Sequence, residues 1–260
     1  MMGKVYLVGA GPGDAELLTR KALRLIRSAD VILHDSLVSA EILELIPESA
    51  KRIDVGKRRG YRLLTQQDIN SLLVSSAGTY GIVVRLKGGD PLLFGRASEE
   101  IQALRRAEVE FEIVPGISAA FGAAAALQVS LTDRALSSNV LFTTFSRSAE
   151  SVELLRKSLT ADTTVVVYMP GLHYADVSRW LLDAGLAHNT PCLLISKATQ
   201  PEQVSRTSTA GDLATLPTLP APAILIVGRS VAPDGGVTKS ADWFGISSHT
   251  NCATHDSLIF

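Results

Sequence analysis

The sequence predicts an α/β protein of two domains with mainly parallel sheets and a ligand cleft between them. Three observations carry that prediction. Short apolar runs alternate with stretches of helical periodicity along most of the 260 residues. Runs such as Ile82-Val83-Val84 are apolar without alternation, the mark of a strand covered on both faces and hence of a parallel sheet with crossover helices. A Pro115-Gly116 break is followed by a helix of small residues, after which the alternation restarts.

The elements follow in order. Lys4–Val8 reads as a strand, then a Gly-rich turn, then a helix over Ala15–Ala29. In that helix Leu18, Ala22, Leu25 and Ala29 form one apolar stripe, and Asp14 stands where an N-cap belongs. Strands are predicted at Val31–His34, Lys51–Val55, Gly81–Leu86 and Phe111–Val114, with helices between them at Ser39–Ile46, Gln66–Ala77 and Ser98–Ala107. Thr65 and Asp68 make a capping box for the third of these helices, with Asp in the usual Glu place. Residues 1–115 form the first domain. The second, 116–245, holds helices at Ser118–Leu127, Ala149–Ser158 and Ala175–Ala184 and strands at Val140–Phe145, Thr164–Met169, Pro191–Ser196 and Ala223–Val227. Beyond about Ala232 the chain turns polar apart from Trp243-Phe244, and 246–260 is expected to be a disordered tail.

Composition removes several functions. Lys plus Arg total 25 and Asp plus Glu 26, a net charge of −1, which argues against a nucleic-acid wrapper. A hydrophobic share of 46% argues against a disordered chain. Two cysteines, Cys192 and Cys252, support neither a disulfide scaffold nor a Cys-rich zinc site, and no metal is expected. No apolar run reaches the ~20 residues of a membrane span, and Met1–Val8 lacks the features of a signal peptide. A cytoplasmic protein without membrane or nucleic-acid partners is expected.

Three loops carry the chemistry. Gly9-Ala10-Gly11-Pro12-Gly13-Asp14 lets backbone approach a ligand, and also reads as a plain strand-to-helix turn. A dinucleotide fingerprint is broken here, because its third glycine falls at Asp14 and Pro12 removes a backbone donor. Lys87-Gly88-Gly89-Asp90-Pro91 ends a buried strand, on the side where open α/β sheets bind ligands. The apolar Leu92-Leu93-Phe94 beside it suits a ligand wall better than a solvent loop. His34-Asp35-Ser36 and Gly56-Lys57-Arg58-Arg59-Gly60 end the second and third strands. Between Lys51 and Arg62 stand six basic residues and one acid, which is either a solvated face or an anion site. Asp35 alone also reads as a helix cap.

In this order GAGPGD, VILHDSLVS, VGKRRG, VRLKGGDPLLFGR, VPGISAA and SLTDRALSS resemble the tetrapyrrole methylases over about Lys4–Ala232. The resemblance implies two α/β domains, a homodimer, and S-adenosylmethionine as methyl donor in the cleft. It implies Pro12, Gly88, Gly89, Asp90, Leu93, Ser118, Ala119, Met169 and Ala198 as cofactor-binding residues. Asp35 matches the family's proton acceptor and Lys57 its proton donor. Arg58, Arg59 and Arg96 are assigned to a flexible tetrapyrrole bearing eight carboxylates. The branch resembled methylates uroporphyrinogen III at carbons 2 and 7, giving precorrin-2 for sirohaem or cobalamin synthesis. The NAD-dependent module of some fused relatives has no counterpart, so dehydrogenase and chelatase activities are not expected.

The sequence departs from the family pattern at Phe145-Ser146-Arg147, where TGH is usual, at Asp133 for a common His, and at Ala198 for a frequent Gly. Three rival readings remain. A methylase of a later precorrin is disfavoured by GKRRG together with Tyr168-Met169. An NAD-binding oxidoreductase is disfavoured by Pro12 and Asp14, and a non-catalytic carrier by Asp35 and the GGD turn.

Overall fold

The computed structural model describes residues 2–56 and 64–232. Strands β1 (Lys4–Gly9), β2 (Val31–His34), β3 (Lys51–Asp54), β4 (Ile82–Lys87) and β5 (Phe111–Val114) form one sheet in the order β3-β2-β4-β1-β5. All four pairings in it are parallel. Two apolar clusters cover its faces, one around Val8, Ile32, Val84 and Leu86, the other around Val5, Leu7, Leu33 and Val83. That double burial is the physical reason for the unbroken apolar runs.

Helices α1 (Arg20–Ser28), α2 (Ala40–Glu44), α3 (Gln66–Ala77) and α4 (Ala97–Arg106) supply the crossovers. The capping box at Thr65 and Asp68 is present in both directions. The first helix is shorter than predicted. Asp14 caps only a short 3₁₀ turn at Ala15–Leu17, and Leu18 is extended. Thr19 then starts α1 afresh, its hydroxyl accepting from the N–H of Ala22 at 3.1 Å. A Thr hydroxyl competes for backbone donors, so one periodic stretch becomes two helical pieces.

After β5 the chain enters α5 (Ala119–Ala126), and the second sheet follows, built from β6 (Asn139–Thr144), β7 (Thr163–Tyr168), β8 (Pro191–Ser196), β9 (Val204–Thr209) and β10 (Ala223–Val227). Its order is β6-β7-β10-β8-β9. Only β6–β7 is parallel; the other three pairings are antiparallel. Five of the eight pairings in the described residues are therefore parallel, and the antiparallel ones are confined to the second sheet. Strand β9 has no counterpart in the sequence reading. VSRTST carries a single apolar residue because an antiparallel edge strand can face water. Helices α6 (Ala149–Ser158) and α7 (Tyr174–Asp183) complete the second half. The Ala-rich α5 lies on the second sheet, where Ala120, Ala123 and Ala124 share a core with Val166, Leu193 and Ile226. Small side chains allow that close approach.

Candidate active site

The connections leaving the adjacent parallel strands β1 and β4 run in opposite directions along the sheet, to β2 and to β5, the arrangement that opens a crevice at the carboxyl ends of the strands. The two turns that leave those ends are tied together. Gly11 and Gly89 exchange backbone hydrogen bonds at 3.2 and 2.8 Å, and both have positive φ, +72° and +68°. A third turn closes on them. The Asp90 carboxylate accepts from the N–H of Gly116 at 3.0 Å and from that of Leu92 at 2.8 Å. A Cβ on Gly116 would stand 2.4 Å from the carbonyl oxygen of Gly89, so this approach requires glycine. Gly122 likewise leaves room for Pro12, whose ring carbons a Cβ there would meet at 2.6 Å.

Against these turns lies a cleft of about 660 Å³, lined by Leu17, Asp90, Leu93, Gly116–Ser118, Phe121, Gly122 and Ala125. Its walls are apolar, with Asp90 and Ser118 as the polar side chains. Ser118 shares a hydrogen bond with the Tyr168 hydroxyl, which also accepts from the N–H of Ala120 at 3.1 Å. Tyr168 thus pins the start of α5 to the end of β7. Burial pushes its phenol pKa up, so the hydroxyl stays protonated as a structural link. Phe94 packs on the Tyr168 ring at 5.0 Å between centroids.

Asp35 stands at the end of β2 on the same edge of the sheet. Its N–H bonds the carbonyl of Leu86 at 3.2 Å, and a Cβ on Gly88 would stand 3.0 Å from the Cβ of Leu37, two residues on. Its carboxylate accepts from Nη2 of Arg85 at 2.5 Å. Arg85 is buried in β4 and also donates from Nε to Glu100 at 2.9 Å. Glu100, fully buried on α4, accepts from Lys87 Nζ at 3.0 Å as well. Burial works against the Arg85 charge, but Asp35 and Glu100 outweigh it and hold the guanidinium above its ordinary pKa. Lys87 goes the other way: burial, reinforced by the Arg85 charge, lowers its pKa despite Glu100.

The cofactor residues named from sequence separate into groups. Asp90, Leu93 and Ser118 line the cleft, and Pro12, Gly88, Gly89 and Ala119 belong to the turns and helix start that frame it. Met169 is exposed beside Tyr168 with φ +52°. Ala198 is buried in the core cluster that includes α5. Arg96, given to the substrate, is exposed and forks onto Glu99 at 2.7 and 2.8 Å. Lys57, Arg58 and Arg59 lie outside the described residues, as do Cys252, Trp243-Phe244 and the expected tail. No metal-binding cluster occurs among the described residues. Sequence reasoning missed Arg85 and Glu100, although a charged residue inside the run IVVRLK was the available signal.

The departures from the family pattern have partners of their own. Phe145 packs edge-on against Trp180, Arg147 pairs with Asp176 at 2.7 Å, and Asp133 accepts from the N–H groups of Ala135 and Leu136.

Two α/β sheets with an apolar cleft beside glycine turns at the strand ends define the class. Residues 4–214 match the family of tetrapyrrole (corrin/porphyrin) methylases, and the chain belongs to it. Among relatives, a uroporphyrinogen-III C-methyltransferase of Paracoccus denitrificans is 42% identical over 236 residues, 89% of this chain and 82% of its own length. A sirohaem synthase of a Psychrobacter species is 45% identical over 88% of this chain and 48% of its own length. The chain spans about half the length of most of the curated relatives it matches. A uroporphyrin-III C-methyltransferase of Thermus thermophilus, solved with S-adenosylhomocysteine, superposes with a TM-score of 0.75 at 34% identity, over 88% of this chain and 99% of its own. No helix among the described residues is long and apolar enough to cross a membrane.

Proposed function

We propose that this chain transfers methyl groups from S-adenosylmethionine to carbons 2 and 7 of uroporphyrinogen III, giving precorrin-2 for sirohaem or cobalamin synthesis. One observation carries the reading: the GGD turn, the cleft and Asp35 meet at one edge of the parallel sheet, in a chain of this family. The residues fit the donor. Leu17, Leu93, Ile117 and Phe121 offer apolar surface for a heterocycle, Asp90 and Ser118 offer the few polar groups such a ligand needs, and glycine turns allow backbone contact. When bound, S-adenosylmethionine supplies an electrophilic methyl carbon. The protein's work is mainly alignment of that carbon with a pyrrole carbon, because orientation supplies most of the acceleration in such a transfer. A ring proton must also leave, and the Asp35 carboxylate is the acceptor on this edge, with Lys57 assigned as donor. Domains of 1–115 and 116–245 fit the separate cores of the two sheets. Homodimeric assembly rests on the family likeness. A cytoplasmic location is in keeping with Cys192, buried without a disulfide.

The test is incubation with methyl-labelled S-adenosylmethionine and uroporphyrinogen III. Two labelled methyl groups per product ring are expected. No transfer to this substrate, with transfer to a later precorrin, would overturn the substrate assignment.

Arg58 and Arg59 are assigned to substrate capture, since Arg grips carboxylates with a bidentate fork. The double Ala variant should raise KM for the tetrapyrrole and flatten its salt dependence, because exposed ion pairs are screened over roughly 8–10 Å at physiological ionic strength. Affinity for S-adenosylmethionine should not weaken. Unaltered steady-state kinetics at every salt concentration would return both arginines to a solvated surface.

A further inference from the structure

We propose that Glu100, which touches neither cleft nor substrate edge, is a positioning residue that sets the Asp35 carboxylate through Arg85. The proposal rests on the reading of Asp35 as proton acceptor given above.

The geometry is a single line of side chains running outward from the core. Glu100 is fully buried on α4 and receives Nε of Arg85 at 2.9 Å through one carboxylate oxygen and Nζ of Lys87 at 3.0 Å through the other. Nη1 of Arg85 lies 3.4 and 3.3 Å from the carbonyl oxygens of Leu33 and Leu86. These contacts come from β2, β4 and α4, and they fix the guanidinium plane. What remains is Nη2, which donates to Oδ1 of Asp35. Asp35 makes no other side-chain hydrogen bond among the described residues, and its side chain is 28% exposed at the strand end.

The guanidinium is planar and rigid, so holding Nε at one edge dictates where Nη2 points at the other. One oxygen of Asp35 is thereby taken up. The carboxylate is turned so that its second oxygen is available to accept a proton or an N–H. Stability alone gives no reason for this cluster, because a buried ion pair is often no better than apolar residues of the same volume. Four charged groups, two of each sign, occupy a site that leucines could fill. Three of them are buried, and the line ends at Asp35, the partly exposed carboxylate at the end of β2.

The experiment uses Glu100→Gln, whose one carbonyl oxygen cannot serve both Nε of Arg85 and Nζ of Lys87 and whose amide carries no charge, so the hold on the guanidinium is loosened. In the folded variant kcat should fall roughly tenfold or more, with KM for the tetrapyrrole and affinity for S-adenosylmethionine unchanged. In an Asp35→Ala background the same substitution should cost nothing further, because the two residues act as one unit. If Glu100→Gln fails to fold, Glu100→Leu with Lys87→Met keeps the charges balanced, removes the acceptor for Nε and should give the same split. Full kcat in either Glu100 variant, or an equal loss with Asp35 already removed, would contradict the proposal. Full kcat in Asp35→Ala alone would overturn the reading of Asp35 and this inference with it. Loss in Asp35→Ala with full kcat in Glu100→Gln would overturn the inference alone.

Discussion

Asp35→Ala is expected to lower kcat by roughly 10²–10⁴-fold, the usual contribution of a positioned acid–base group, while binding of S-adenosylmethionine persists. The fold should survive. Arg85 keeps Glu100 and the carbonyls of Leu33 and Leu86, so the buried guanidinium is not orphaned. The lost charge-assisted hydrogen bond corresponds to about 1–3 kcal/mol of stability. Calorimetric titration with S-adenosylmethionine and single-turnover methyl transfer on the same preparation separate the two effects. If donor affinity fell in step with turnover, Asp35 would belong to the cofactor site instead.

Gly89→Val should abolish most S-adenosylmethionine affinity, by tenfold or more. Room is not the obstacle, since a Cβ at this position meets nothing closer than the backbone nitrogen of Ala119 at 3.6 Å. The backbone is. Gly89 sits at φ +68°, where a non-glycine residue costs about 1–2 kcal/mol and a β-branched one more. Relief requires rotating residue 89, and that breaks its two hydrogen bonds to Gly11 and shifts Asp90 from Gly116. A difference of 1.4 kcal/mol is a factor of ten in binding. The core clusters of the two sheets do not contain residue 89, so thermal melting should stay cooperative. Unchanged affinity in the folded variant would remove the GGD turn from the site.

Most strands were legible because burial on both faces leaves a run such as Val31-Ile32-Leu33 no alternative but apolar residues. Helix α3 was legible because Thr65 and Asp68 write its start in side chains. The break at Leu18 was not, since the apolar stripe of Leu18, Ala22, Leu25 and Ala29 begins at the break and only the Thr19 hydroxyl marks the new helix start. Strand β9 was invisible for the opposite reason: at an edge facing water, pairing comes from backbone groups and the side chains need not be apolar. The turns of the site could be read from their glycines. Their mutual closure could not, because the contacts between Gly11, Gly89 and Gly116 join residues far apart in sequence. The link from Arg85 to Glu100 spans a strand and a helix, and no motif announces it.

The central claim is that the cleft between the GGD turn and α5 holds the methyl donor. A crystal structure of the chain with S-adenosylhomocysteine tests it most directly. The product should lie against Leu93 and Phe121, with the backbone of residues 88–90 and 116–118 within hydrogen-bond reach. A complex shown by calorimetry to have formed, but with density for the product away from Asp90 and Ser118, would contradict it.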